Sequence, residues 1–186
     1  MKVCVLGSNS FSGSSFCLSA LQKGCDVVGI SRSPENVESI APHTWFEGDR
    51  KFDFFQLDIN QHTDQVAQLI HDLGCEVVIN YASQGMVAES WVSPWEWYNT
   101  NVAGLSKLVK GLEDSNVKKF IHFSTPEVYG NTEGWIKESF DFNPTTPYAI
   151  SRVAGDLHLK ALFETFSFPV LFTRASNVYG EGQPLY

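Results

Sequence analysis

Val3-Cys4-Val5-Leu6-Gly7-Ser8-Asn9-Ser10-Phe11-Ser12-Gly13 is the stretch whose reading decides the fold. Four apolar residues run into a glycine. From Phe11 to Lys23 the residues Phe16, Leu18 and Leu21 then recur at helical spacing before Gly24 stops the run. Strand, tight loop and helix in that order predict a βα unit whose loop holds a phosphate. The backbone N–H groups of such a turn approach a pyrophosphate closely, and the anion rests at the positive end of the helix. The spacing is G-x-x-x-x-x-G, with Ser10 where a middle glycine is expected. A small serine permits close approach, and its hydroxyl can donate to phosphate. Gly7, Asn9, Ser10, Phe11 and Gly13 are therefore candidate dinucleotide contacts, although an ordinary tight βα turn reads the same way.

Outward from this unit, strand-like runs alternate with helical ones. Residues 26–30, 52–57, 76–80, 118–123 and 169–173 read as buried strands, and 61–73, 94–114 and 148–166 as helices. A loop over 124–146 precedes the last helix. Apolar strand runs separated by helices predict a doubly wound α/β fold, a mostly parallel Rossmann sheet with helices on both faces. The 186 residues are 43% hydrophobic and 18% charged, which fits one dinucleotide-binding domain over 1–186. The net charge of −8, without a basic cluster, argues against a nucleic-acid partner. No apolar run approaches the roughly 20 residues of a membrane helix, and Met1-Lys2 leads into a strand rather than a leader, so a cytoplasmic protein is expected. Cys4, Cys17, Cys25 and Cys75 are widely spaced in apolar contexts and predict buried reduced thiols, with no metal site.

Further chemistry sits at the strand ends. After the second strand, Ser31, Arg32 and Ser33 stand where an acidic residue would accept from a ribose 2′-hydroxyl; Arg32 instead suits a 2′-phosphate and favours NADP, with NAD possible. Asp58 and Ile59, after the third strand, are placed to bracket adenine, although an Asp capping the next helix looks the same. Tyr148 and Arg152 lie at i and i+4, on one helix face. A guanidinium beside a phenol favours the phenolate, which equips Tyr148 to exchange a proton with a substrate hydroxyl.

The remaining motifs are Asn80-Tyr81-Ala82-Ser83-Gln84 continuing to Ser90, Thr100-Asn101-Val102-Ala103-Gly104, Ser124-Thr125-Pro126-Glu127-Val128-Tyr129-Gly130, Asn143 to Arg152, and Arg174-Ala175-Ser176-Asn177-Val178-Tyr179-Gly180. With Gly7 to Gly13, these motifs in this order resemble the extended branch of the short-chain dehydrogenase/reductase superfamily, and within it the nucleotide-sugar 4,6-dehydratases and epimerases. The resemblance implies cofactor contacts from Tyr81, Ala82, Ser83, Thr100, Tyr148, Arg152 and Asn177. It also implies a sugar-nucleotide substrate, and a homodimer formed through the helices 94–114 and 148–166.

The implied mechanism is a lyase reaction with no net redox change. Hydride passes from sugar C4 to the cofactor while Tyr148 accepts the hydroxyl proton, water leaves across C5 and C6, and hydride returns at C6. Ser124 or Thr125 would hydrogen-bond the C4 oxygen, and Glu127 would remove the acidified C5 proton. An epimerase needs no such carboxylate, so Glu127 favours the dehydratase. Dehydratases of thymidine-diphospho sugars carry an Asp where this chain has Pro126. Those of GDP-mannose also lack it, keep the Thr and Glu, and use NADP, in agreement with Arg32. Arg152 replaces the family lysine that holds the nicotinamide ribose, and the exchange is not conservative at a close-packed site. Gly182 to Tyr186 ends where the family continues into a sugar-nucleotide-binding part, so a substrate-binding part is expected to be absent. A non-catalytic dinucleotide-binding module is the alternative. Trp91, Trp95 and Trp97 could stack on a base or sugar but are expected to pack the helix end or an intersubunit helix pair, and His122 is expected to be a satisfied core residue.

Overall fold

The computed structural model describes residues 1–183; Pro184, Leu185 and Tyr186 of the closing run lie outside the described residues. Strands β1 (Lys2–Leu6), β2 (Asp26–Ser31), β3 (Phe52–Gln56), β4 (Val77–Asn80), β5 (Lys119–Ser124) and β6 (Val170–Arg174) form one sheet in the order β3-β2-β1-β4-β5-β6. Every neighbouring pair is parallel. Leu6 pairs with Ile30 on one side and Asn80 on the other, so the strand order reverses at β1. The carboxyl ends of β1 and β4 open a crevice there, the general ligand position of doubly wound sheets.

Helices α1 (Phe11–Gln22), α2 (Thr63–Asp72), α3 (Pro94–Tyr98), α4 (Leu105–Gly111) and α5 (Pro147–Phe166) cover the sheet. Alternate strand residues face opposite layers. Cys4, Leu6, Val28, Ile30, Val78 and Phe120 pack against Val66, Leu105, Leu108 and Leu159. Val3, Val5, Val27 and Ile79 pack against Cys17 and Leu21 of α1. Because both faces of β1, β2 and β4 are buried, these strands read in the sequence as largely apolar runs. The four cysteines are free and buried, as expected. Among the described residues no helix is long and apolar enough to cross a membrane.

The helix expected over 94–114 differs in two ways. It ends at Gly111, and residues Asn99–Gly104 form a π turn between α3 and α4. The cause is tertiary. A Cβ on Gly155 of α5 would stand 2.7 Å from the Asn101 carbonyl oxygen, so α5 presses on this turn. The buried Asn101 amide bonds away from its own helix. Its nitrogen donates to the Gln84 carbonyl at 3.0 Å and to Ser151 Oγ at 2.9 Å, and its oxygen accepts from the Gln84 N–H at 2.8 Å. Single π turns of this kind recur at functional sites.

Candidate functional site

The β1–α1 turn is shaped by backbone. Gly7 has φ +78°, and a Cβ there would stand 2.8 Å from Ala82 N. Ser10 caps α1: its hydroxyl accepts from Gly13 N–H at 3.0 Å and donates to the Gly7 carbonyl at 2.7 Å. Within the turn the Ser10 hydroxyl points its proton to the Gly7 carbonyl, Gly13 packs against that same carbonyl, and the Phe11 ring lies beside Gly180.

That cavity, about 260 Å³, is where most of the expected cofactor contacts meet. Gly7, Asn9 and Ser10 form one wall, and Ser31 and Arg32 the end beyond β2. Asp58 and Ile59 enter from β3, Tyr81, Ala82 and Ser83 from β4, and Thr100 from the π turn. Asn9 ties the end together: its N–H donates to Ser31 Oγ at 2.9 Å, and its amide nitrogen to Ser33 Oγ at 3.0 Å and the Pro34 carbonyl at 2.6 Å. Both serine oxygens are thus already acceptors, and Arg32, exposed and 3.5 Å from Gln84 Oε1, is the charged group left facing this end. Asp58 accepts from Asn60 N–H at 2.8 Å with one oxygen, a turn contact ahead of α2, whose N-cap is His62 rather than Asp58.

A second cavity, about 340 Å³, shares Tyr81 and Ser83 with the first and is lined by Ser124, Thr125, Glu127, Tyr148, Arg152 and Asn177. Thr146 caps α5 by accepting from Ala149 N–H at 3.1 Å, which sets Tyr148 in the first turn. The Tyr148 N–H donates to Ser90 Oγ at 3.2 Å, and that fully buried hydroxyl donates to the Val87 carbonyl at 2.6 Å. Ser90 therefore bolts the loop after β4 to the start of α5, a role its sequence context does not reveal. Thr125 Oγ1 accepts from Glu127 N–H at 3.3 Å, so its own proton is free for a ligand. Glu127 is exposed on the rim, and partial desolvation raises its carboxyl above the ordinary glutamate range.

Ser124 and Arg152 depart from expectation. Ser124 Oγ donates to Asp156 Oδ2 at 2.9 Å, which leaves Thr125 as the hydroxyl able to donate to a sugar oxygen. Arg152 is 3% exposed, and its guanidinium turns inward to donate to the Phe123 carbonyl, with His122 Nε2 at 3.4 Å. Burial lowers its pKa. His122 is the core residue expected: it is held neutral by burial and by the charges of Arg152 and Arg174, and its Nδ1 meets Asn80 Nδ2 at 3.2 Å. Trp97 packs at the helix end, donating to the Gly85 carbonyl at 2.6 Å, whereas Trp91 and Trp95 are each 64% exposed within the single chain.

These residues fit a nicotinamide dinucleotide. Gly7 lines the first cavity, and only a residue without a side chain lets the turn lie this close to the Ala82 backbone. Arg152 Nε–H lacks an acceptor although it is buried on the wall of the second cavity, so a donor remains for a ribose hydroxyl there.

Comparison with known proteins agrees. The chain is 32% identical to human dTDP-D-glucose 4,6-dehydratase over 191 residues, covering 98% of this chain and 52% of that protein. It is 34% identical over 131 residues to a UDP-glucose 4-epimerase of Klebsiella pneumoniae, covering 70% and 94% of the respective chains. Among solved structures, UDP-glucuronic acid 4-epimerase from Bacillus cereus, in complex with UDP-glucuronic acid and NAD, superposes with a TM-score of 0.85 at 26% identity, covering 98% of this chain and 59% of that one. The dTDP-glucose 4,6-dehydratase DesIV from Streptomyces venezuelae, with NAD bound, gives the same score and identity over 98% and 58%. The chain thus spans about half the length of the dehydratases it matches. The family described as NAD dependent epimerase/dehydratase matches residues 3–185, and with the parallel sheet and the two joined cavities in place, the chain belongs to that family.

Proposed function

We propose that the protein binds a nicotinamide dinucleotide along the two joined cavities and carries out 4,6-dehydration of a sugar nucleotide. When bound, the dinucleotide supplies a hydride acceptor and donor. Tyr148 takes the proton from the C4 hydroxyl, and Thr125, with its proton free, holds the C4 oxygen. Glu127 takes the C5 proton once C4 is a ketone and delivers it to the C6 hydroxyl, which departs as water. Arg152 presents its Nε–H to the nicotinamide ribose while its outer nitrogen stays on Phe123. One observation carries this reading: a carboxylate, Glu127, lines the same cavity as Tyr148. An epimerase has no need of it. The test is a panel of sugar nucleotides followed by mass spectrometry; a 4-keto-6-deoxy product one water lighter than its substrate supports dehydration, and an unchanged mass with an inverted centre supports epimerisation.

Arg32 is the basis for an NADP preference, because no carboxylate stands at the end of β2. The relatives described with bound NAD supply the alternative, and direct titration of both dinucleotides separates the two. A homodimer through the outer faces of α3, α4 and α5 is supported by exposed Trp95, Tyr98, Ile150 and Leu157. Leu157→Glu should then yield monomers by light scattering, whereas an unchanged mass would contradict that interface. The inward guanidinium of Arg152 supports a second reading, a dinucleotide-binding module without turnover. In that case Arg152→Lys gains activity that the wild type lacks.

A further inference from the structure

Behind the second cavity lies a cluster of charges that the proposed mechanism does not use. Asp156 is fully buried on α5, two turns beyond Tyr148 and one beyond Arg152. Its Oδ2 accepts from Ser124 Oγ at 2.9 Å and from Arg174 at 3.0 Å, and its Oδ1 lies 3.6 Å from His122 Nε2. Arg174 closes β6, and its guanidinium sits among four aromatic rings, those of Tyr129, Phe140, Phe142 and Phe172, with centroids 5.2–5.7 Å away. Three of these rings belong to the loop between β5 and α5. That loop is closed on itself near the same place, since the Asn143 N–H donates to the Val128 carbonyl at 3.0 Å and Tyr129 Oη exchanges hydrogen bonds with the backbone of Ser139 at 3.2 Å.

We infer that Asp156 and Arg174 are positioning residues: their ion pair holds the Thr125–Glu127 turn at a fixed distance from Tyr148. The connections run both ways from the carboxylate. Through Ser124 it fixes the residue next to Thr125. Through Arg174 and the stacked rings it fixes Tyr129, two residues beyond Glu127. Tyr148 stands on the same helix as Asp156, so base, hydroxyl and phenol share one buried anchor. A guanidinium suits this place because its planar face stacks on several rings while its edge keeps the bond to a carboxylate. Glu127 itself is exposed, and within its own turn the fixing contacts are the backbone bonds from Val128 N–H to the Thr125 carbonyl at 3.5 Å and from Gly130 N–H to the Glu127 carbonyl at 3.0 Å. The chemical consequence rests on the dehydratase reading above; the geometric one does not.

Hydrogen exchange tests the geometry on the whole chain whatever the reaction proves to be. Arg174→Lys keeps the charge and loses the stacking plane, and Phe142→Leu removes one ring without touching a charge. In both, amides of residues 127–130 should exchange about tenfold faster, with α1 amides and dinucleotide affinity within about twofold of wild type. Asp156→Asn should show the largest effect; if it does not fold, the other two variants still decide. In any measurable turnover, the Arg174→Lys change should appear in kcat with KM unchanged. Unchanged exchange over 127–130, or an equal rise throughout the molecule, would overturn the inference. Absence of any product from the wild type would instead count against the dehydratase reading and leave the exchange result standing.

Discussion

At its Gly7 end the site is made of backbone, and at its Tyr148 end it is made of side chains. The first cavity is set by a left-handed glycine, a capping serine and four parallel strand ends that sheet register places side by side. The second needs Thr146 to start α5, Ser90 to tether it, and the Asp156–Arg174 pair to hold the opposite wall. A dinucleotide turn of the first kind tolerates change in distant side chains. A site of the second kind is coupled to buried charge, where losing one partner strands the other without solvent. The two halves should therefore fail in different ways, binding in one and turnover in the other.

The largest expected separation comes from Tyr148→Phe. Turnover should drop about 10²–10⁴-fold while dinucleotide affinity stays near wild type, because only the proton-transfer group is lost. A matching loss of binding, read by fluorescence titration, would merge the two halves. Glu127→Gln follows, with product formation reduced about 10²-fold or more and C4 oxidation retained. The same residue predicts a pH dependence. Its base form is the carboxylate and desolvation raises its pKa, so activity should fail on the acid side at a pH above the ordinary glutamate range, and that limb should vanish in Glu127→Gln. Gly7→Ala breaks the other half: strain at positive φ costs roughly 1–2 kcal/mol, and the added Cβ would meet Ala82 N. Dinucleotide affinity should fall while the exchange pattern over 127–130 is kept. The narrowest effect is at Arg32, where one of the two dinucleotides is affected. Arg32→Asp should weaken NADP by about 1.5–3 kcal/mol, the worth of a charge-assisted hydrogen bond, and NAD much less. Equal loss of both would remove the 2′-phosphate assignment.

The same contrast explains what the sequence discloses. The β1–α1 turn and the strand ends follow from local order, because parallel strands buried on both faces announce themselves as apolar runs and each βα loop must emerge at one edge of the sheet. Arg32, Asp58, Tyr81 and Thr100 could be placed together before any geometry was known. The π turn at Asn99–Gly104 could not, since it arises from the approach of Gly155 and the outward bonds of Asn101, with no local change of hydrophobic period. Ser124 and Thr125 look interchangeable as neighbours; only the buried carboxylate of Asp156 distinguishes them. A signal for that carboxylate did exist. Tyr148, Arg152 and Asp156 fall at i, i+4 and i+8, and a charge repeated along a core-facing stripe requires a buried partner. The usual burial of aromatic residues does not tell which tryptophan packs within the chain; the short helix starting at Pro94 turns Trp97 inward and leaves Trp95 exposed.

Under the proposed function, Tyr148 and Glu127 act on one sugar in one cavity. The decisive measurement supplies the protein with its dinucleotide and a sugar nucleotide deuterated at C4, then locates the label by NMR. A 4-keto-6-deoxy product with deuterium at C6, and none from Tyr148→Phe, is the expected result. Deuterium found at C4 of an inverted sugar that keeps its C6 oxygen would contradict it.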